Sequence, residues 1–266
     1  MISCLKYFSI KKEQMKQEIT SFVRPPHLVV VQIADGKASN LYIKNKQKTC
    51  EEVGIKFTHI KYESQITNEK LKKRLTELSN CKNVDGIILQ LPIPEHLNIE
   101  YLQNFIDVKK DVDGFRPESK FKPCTAKGIV DWLKFNKINL TEKNVIVIGR
   151  SKIVGKPLMN LLVDEGATVT CCNSKTEDLN YYILHSDIVI SAIGKAKYFN
   201  LSDFRTGQII VDVGINRDEN GKLCGDVYID NLRIYVTPVP NGVGKLTVCS
   251  LLENTICAYK ERCGNI

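Results

Sequence analysis

The chain has no run approaching the ~18 uninterrupted apolar residues that a membrane-spanning helix needs. Its opening, Met1-Ile-Ser-Cys-Leu-Lys-Tyr-Phe-Ser-Ile10, is interrupted by Lys6 and runs straight into Lys11-Lys12-Glu13. No targeting segment is read there, and the expected compartment is the cytoplasm. Histidine is scarce and scattered (His27, His59, His96, His185), without H-E-x-x-H or a Cys/His cluster, so a metal site has no support. None of the ten cysteines stands in C-x-x-C spacing, and a chain of this size needs no staples, so they read as reduced thiols used as small apolar residues. The formal charge of +8 suits anionic partners, whether phosphates, carboxylates or nucleic acid, without choosing among them, but the basic residues neither gather in a tail nor alternate with aromatics. No nucleic-acid partner is expected from such a pattern. Repeats and low-complexity tracts are also lacking.

What is present is a globular composition, 43% hydrophobic and 26% charged over 266 residues, enough for one large or two ordinary domains. Apolar runs alternate with helix-period segments almost from end to end, which predicts α/β architecture with parallel sheets. In the first half, strands are expected at His27 to Ala34, Ile55 to Ile60 and Val84 to Gln90. Between them lie helices at Ser39 to Glu52, with Ser39 as N-cap and Gly54 past its end, and at Asn68 to Ser79. The second half restarts the pattern. Its strands are Val145 to Ile148, Thr168 to Cys172, Asp187 to Ile193 and Gln208 to Val213, separated by helices at Gly155 to Glu165 and near Glu177 to His185. A last helix, Leu246 to Glu261, is expected to return to the first domain. The fold class is therefore two α/β domains flanking a cleft, the second a Rossmann-like doubly wound parallel sheet. With the change placed near Asp113-Gly-Phe-Arg-Pro117, the domains are 1–115 plus 246–266, and 116–245.

Several segments could carry chemistry. Asn144-Val-Ile-Val-Ile-Gly149-Arg150-Ser151-Lys-Ile-Val-Gly155 joins a buried strand to a helix through small residues, where free N–H groups and the helix dipole favour a phosphate. It departs from G-x-G-x-x-G in having Ser151 in the middle and its last glycine one residue late, so alone it also fits an ordinary tight turn. Tyr42 and Lys46 stand at i and i+4, on one helix face. They suit an acid–base pair if burial or cationic neighbours lower the lysine pKa, and Lys44 and Lys48 offer such charge. A lysine-rich helix face is more commonly just solvated. Gln90 ends a strand at the edge where open α/β sheets collect ligands, although Pro92 and Pro94 equally serve to stop that strand. Asp111 and Asp113 precede a glycine, and one of them could accept the paired N–H groups of a pterin edge or merely form an Asp-Gly turn. After the second strand of the nucleotide half the chain reads Cys172-Asn173-Ser174-Lys175, without the acid that would bind an NAD ribose. With Arg150, Ser174 and Lys175 in reach, NADP is favoured.

Taken together, these segments resemble the bifunctional methylenetetrahydrofolate dehydrogenase/cyclohydrolase family from about residue 27 onward. The resemblance rests on Ser39-Asn-Leu-Tyr42-Ile-Lys-Asn-Lys46, Asp85-Gly-Ile-Ile-Leu-Gln90-Leu91-Pro-Ile-Pro94, Lys110-Asp-Val-Asp113-Gly-Phe, Pro123-Cys-Thr125, Gly149 through Leu158, Asp212-Val-Gly214-Ile215-Asn and Thr237-Pro-Val-Pro240-Asn-Gly242-Val-Gly244. It implies NADP-dependent oxidation of 5,10-methylenetetrahydrofolate and hydrolysis of the 5,10-methenyl product to 10-formyltetrahydrofolate. It implies Lys46 as the key cyclohydrolase residue, Tyr42 stacking on the pterin, Gln90 tuning Lys46 and Asp113 holding the pterin, with Leu91, Pro240 and Gly242 also at the substrate. Gly149, Arg150, Ser151 and Ser174 match cofactor contacts, as do Thr125, Gly194 and Ile215 near the nicotinamide. A homodimer formed through the nucleotide domain is implied as well. The chain departs from the family pattern in its short opening before Arg24, at Gly36-Lys37, at Ala126, and at Asn241 and Lys245. Asn241 is expected to keep the turn because asparagine tolerates left-handed backbone, whereas Lys245 puts tail or cofactor contacts in question. Two other readings remain at this point, a dehydrogenase without cyclohydrolase activity and a non-catalytic nucleotide sensor.

Overall fold

The computed structural model describes residues 1, 3–229 and 234–263, and of Lys37 and Ala38 the backbone only. The chain divides into two compact units, Ile10–Cys124 with Val248–Ile266 and Met1–Ser9 with Thr125–Thr247. The division thus falls after Cys124 rather than near Asp113, and the first nine residues group with the later segment.

Helix α1 (Cys4–Ile19) was not anticipated from the sequence. Strands β1 (His27–Ile33), β2 (Lys56–Tyr62) and β3 (Gly86–Gln90) alternate with helices α2 (Lys37–Val53) and α3 (Asn68–Asn80), followed by the short α4 (Ile99–Gln103). The strands form a parallel sheet in the order β2-β1-β3. Every residue of β1 and β3 is buried, which is why both read as continuous apolar runs rather than alternating ones. One face carries Val29, Val31, Ile33, Ile87 and Leu89 against Leu71, Leu75 and Leu78 of α3 and Leu102 of α4. The opposite face ends in two polar residues in register, Gln32 on β1 and Gln90 on β3.

Helix α2 starts two residues before the expected Ser39. Its N-cap is Gly36, which has no side chain to offer, and no acid stands in its first turn. The C-terminus is as expected, with Gly54 at φ 91 closing the helix by bonding Cys50 and Glu51 carbonyls.

The second unit opens with α5 (Cys124–Phe135) and continues through β4 (Asn144–Ile148), α6 (Gly155–Asp164), β5 (Thr168–Cys172), α7 (Leu179–Leu184), β6 (Ile188–Ser191), β7 (Phe199–Asn200), β8 (Ile209–Asp212), β9 (Asn216–Arg217), β10 (Leu223–Cys224), β11 (Val227–Tyr228) and β12 (Tyr235–Val236). Its main sheet is parallel, in the order β12-β8-β6-β4-β5. This is a doubly wound arrangement whose order reverses between β4 and β6, the position where such sheets bind ligands beyond the strand carboxyl ends. Helix α8 (Val243–Cys263) begins in this unit and ends in the other. Residues 1–9 join this unit through the apolar side chains of α1: Cys4, Tyr7 and Phe8 are buried, and the Tyr7 ring meets Phe135 edge to face at 5.0 Å. Lys245, a departure from the family pattern, lays its ammonium 5.2 Å from the Phe8 ring.

Candidate functional site

In the three-stranded unit, the i, i+4 spacing on α2 brings Tyr42 and Lys46 together. The lysine Nζ lies 4.7 Å from the Tyr42 ring centroid and donates to Gln90 Oε1 at 3.1 Å. Gln90 is itself fixed, since its amide donates to the Leu91 carbonyl at 2.8 Å. Lys46 is only 4% exposed. Burial pushes its pKa below the ordinary lysine value, and the charge of Asp113 partly opposes that. The cationic neighbours invoked from the sequence do not produce the shift, for Lys44 and Lys48 point to solvent. Asp113 moves the other way: burial raises its pKa, against the opposing pull of Lys46. An amine and a carboxyl that burial drives toward their neutral forms make a proton easy to pass in either direction.

Asp113 stands where the backbone must fold tightly. Gly114 follows at φ 73, and any Cβ there would run into the backbone of Phe121 and Lys122. The group that closes this turn comes from a distant part of the chain and has no local sequence signal. Asn254 of α8 donates to the carbonyls of Val112 at 2.9 Å and Lys122 at 3.3 Å, while the Cys124 thiol donates to the Val112 carbonyl at 3.2 Å. A second unforeseen group is Gln32, beside Gln90. It accepts from His59 at 2.8 Å and donates to Asn40 at 2.7 Å, and Asn40 donates to Asp35 at 2.9 Å. That chain ties the uncapped first turn of α2 to the sheet. The departure at Lys37 falls on a side chain outside the described residues.

In the five-stranded unit, the turns after β4 and β6 meet at the reversal of strand order. Gly149, at φ 118, comes so close to the Ala192 carbonyl that no Cβ fits. Gly155 is pressed equally hard against the Gly149 carbonyl. Its late position in the pattern therefore serves helix–strand packing, with the turn Arg150-Ser-Lys-Ile153 left on the surface. The Ser151 hydroxyl accepts from the N–H groups of Val154 and Gly155 at 3.2 and 3.3 Å, and so organises the start of α6. After β5, Asn173 forms an Asx turn with Lys175 N–H at 3.0 Å, exposing Ser174 and Lys175. Gly194 (φ 67) and Ile215 are exposed beyond β6 and β8. Thr125, in the first turn of α5, shares a hydrogen bond with Thr247 at 3.1 Å. Before α8, Pro240 is exposed and Gly242 is packed on the Pro238 carbonyl, while Asn241 takes φ 75, the left-handed geometry expected of it.

Two family models cover almost the whole chain. Residues 6–113 match the tetrahydrofolate dehydrogenase/cyclohydrolase catalytic domain, and residues 123–263 match the NAD(P)-binding domain of the same family. The chain belongs to the tetrahydrofolate dehydrogenase/cyclohydrolase family. It is an enzyme of that bifunctional kind. It is similar to the bifunctional protein FolD of Listeria innocua, 41% identical over 94% of this chain and 93% of that protein. Among solved structures, the bifunctional enzyme FolD from Campylobacter jejuni superposes with a TM-score of 0.93 at 38% identity, covering 98% of each chain. The Trypanosoma brucei enzyme, solved with an NADP cofactor and an inhibitor, gives 0.93 at 28% identity over 100% of this chain and 98% of that one. The non-catalytic reading of the sequence is set aside by this membership. Among the described residues no group of His, Cys, Asp or Glu could hold a metal ion, and no helix is long and apolar enough to cross a membrane.

Proposed function

We propose that this chain oxidises 5,10-methylenetetrahydrofolate with NADP and then hydrolyses the 5,10-methenyl product to 10-formyltetrahydrofolate, with Lys46 moving the proton. The observation that carries the reading is the buried Lys46 amine, its pKa lowered by burial, gripped by Gln90 and lying against Tyr42.

The neutral amine of Lys46 accepts a proton as water adds to the electrophilic methenyl carbon. The resulting ammonium returns that proton to N5 as the C–N5 bond breaks, and the hydroxyl proton of the adduct passes to solvent as its oxygen becomes the carbonyl, leaving the formyl group on N10. Gln90 holds the amine by its carboxamide oxygen and adds no charge that would alter its affinity for protons. Tyr42 stacks on the pterin, Asp113 accepts its amino and adjacent ring N–H groups, and Leu91, Pro240 and Gly242 complete the substrate contacts. The glycine-lined turn at Gly149 and Gly155 leaves room for a pyrophosphate, with Arg150 and Ser151 beside it. Ser174 and Lys175 suit a 2′-phosphate, no carboxylate standing at that turn to repel it. Thr125, Gly194 and Ile215 are assigned to the nicotinamide end. NADP, when bound, accepts hydride from the methylene carbon, so the chain's own task in the first step is alignment. The same reading makes the enzyme a cytoplasmic homodimer joined through its nucleotide unit, which sedimentation at twice the chain mass would bear out.

The test is an assay with NADP and NAD in parallel, followed by Lys46→Met. The wild type should form NADPH at 340 nm faster than NADH. The variant should lose methenyl hydrolysis by at least about 10²-fold, the usual worth of a positioned acid–base group, while still binding NADP. Hydrolysis at the wild-type rate in Lys46→Met would remove the lysine from the mechanism.

A further inference from the structure

Two loops of the five-stranded unit, Ile193-Gly194-Lys195 after β6 and Gly214-Ile215-Asn216 after β8, close on one carboxylate. Asp226 is fully buried just ahead of β11. One of its oxygens accepts from the Ser191 hydroxyl at 2.8 Å and from the backbone N–H groups of Ile193 and Gly194 at 3.0 and 3.3 Å. The other accepts from the Lys195 N–H and the Asn216 amide, both at 2.9 Å. Three consecutive backbone donors on one carboxylate dictate the course of that loop, and they hold Gly194 at φ 67. The second loop is fitted to the same group, for a Cβ on Gly214 would overlap the Asp226 carboxylate.

Asp226 is in turn held by a second buried acid. Asp212 accepts from the N–H groups of Gly214, Asp226 and Val227 at 2.9, 3.0 and 2.9 Å. A Cβ on Gly225 would overlap Asp212, so each carboxylate fills the space left by a glycine next to the other. Burial raises the Asp212 carboxyl to about 6. Asp226 is surrounded by five donors and, among the described residues, no acceptor is bonded to its two oxygens, an arrangement matched to a carboxylate and not to an amide of the same size.

We infer that Asp226 is a positioning residue for hydride transfer, setting the backbone of the two loops that carry Gly194 and Ile215. The inference rests on the assignment of those loops to the nicotinamide end of the cofactor. Asp226 acts through them without touching the cofactor. Its loss should disturb the nicotinamide while leaving the adenine end and the Lys46 chemistry as they were.

The experiment compares wild type with Asp226→Asn, whose amide keeps one acceptor oxygen and turns an NH2 group toward donors. NADP is the full ligand, and adenosine 2′,5′-bisphosphate is the probe for the adenine end alone. Expected for Asp226→Asn is a fall of about 10²-fold in kcat for NADPH formation, the cost of a misplaced reaction partner. NADP affinity should fall about tenfold, as for one hydrogen bond lost at the nicotinamide end, with bisphosphate affinity and methenyl hydrolysis within about twofold of wild type. If Asp226→Asn does not fold, Asn216→Ala removes a single donor, and a smaller loss of kcat with unchanged bisphosphate affinity is the expected sign. Equal weakening of NADP and bisphosphate, or unaltered NADPH formation in a folded variant, would overturn the role of Asp226. The underlying assignment has a separate check: in wild type the bisphosphate must compete with NADP, and Arg150→Ala must weaken both. Failure there removes the assignment and the inference with it.

Discussion

An amine in water keeps its proton to a pH near 10.5, the ordinary value for lysine. At Lys46 burial withdraws the water that stabilises the charge, and the shift is downward. Since the neutral amine is the form that accepts a proton from water, hydrolysis should rise with pH through this lowered pKa and level off above it. Measured kcat should thus show an ascending limb well below pH 10.5. Asp113 opposes the shift, so Asp113→Asn should carry the limb further toward acid. Lys46→Arg should show no limb at all, because a guanidinium stays protonated throughout. A limb unmoved by Asp113→Asn would detach the lysine from the titration. The pairing of Tyr42 with Lys46 was legible in the sequence because helical period alone puts i and i+4 on one face. Asn254 was not, because its bonds to Val112 and Lys122 span more than 130 residues, and no local pattern encodes such a contact. Of the two sources the sequence allows for the lysine's shift, burial is the one that acts; it is a property of the folded neighbourhood, whereas only Lys44 and Lys48 are visible in the string.

The elements that hold these residues were legible where hydrophobic period or an apolar run marks them. Strands β1, β3, β4 and β6 and helix α3 stand close to where the sequence put them. The two-residue strands β7 and β9 to β12 were invisible, being too short for any period to register. At the start of α2 the expectation of a Ser39 cap gave way to Gly36 and no side-chain cap, and the structure supplies a different anchor. Gln32, only 2% exposed and in register with Gln90, joins His59 to Asn40 in the helix's first turn. Two glutamines on neighbouring strands thereby grip one helix, at Asn40 and at Lys46. Gln32→Leu should destabilise the protein by about 1–3 kcal/mol, since it strands the polar groups of His59 and Asn40. It should also slow methenyl hydrolysis more than NADPH formation. Denaturant titration and the two assays side by side would measure this, and an equal loss of both activities would count against the clamp.

At the scale of the whole molecule, neither unit is one stretch of chain. The five-stranded unit takes its first nine residues from the far side of the other unit's sequence, and the three-stranded unit takes its last helical turns from beyond residue 247. The opening of the chain was the part least legible in advance, because its helix carries no motif and its apolar side chains find partners only after residue 124. Tyr7, 2% exposed against Phe135, should therefore matter to the unit that contains Gly149. Tyr7→Ala should cost about 3–5 kcal/mol, the usual range for a deleted core aromatic. Excess NADP should restore part of the loss, by about 2.7 kcal/mol at a hundred times its Kd. Thermal melts with and without NADP would decide it, and a variant as stable as wild type would show that the opening helix contributes nothing there. The same interleaving orders events during synthesis. Domains commonly fold as they leave the ribosome, first segment first. Here the sheet that starts at residue 27 must wait for Asn254, which ties down the Asp113 turn, and for Arg262, which donates to buried Asp85. All five strands of the later sheet have emerged by Val236, so the half of the enzyme encoded second is the first able to finish.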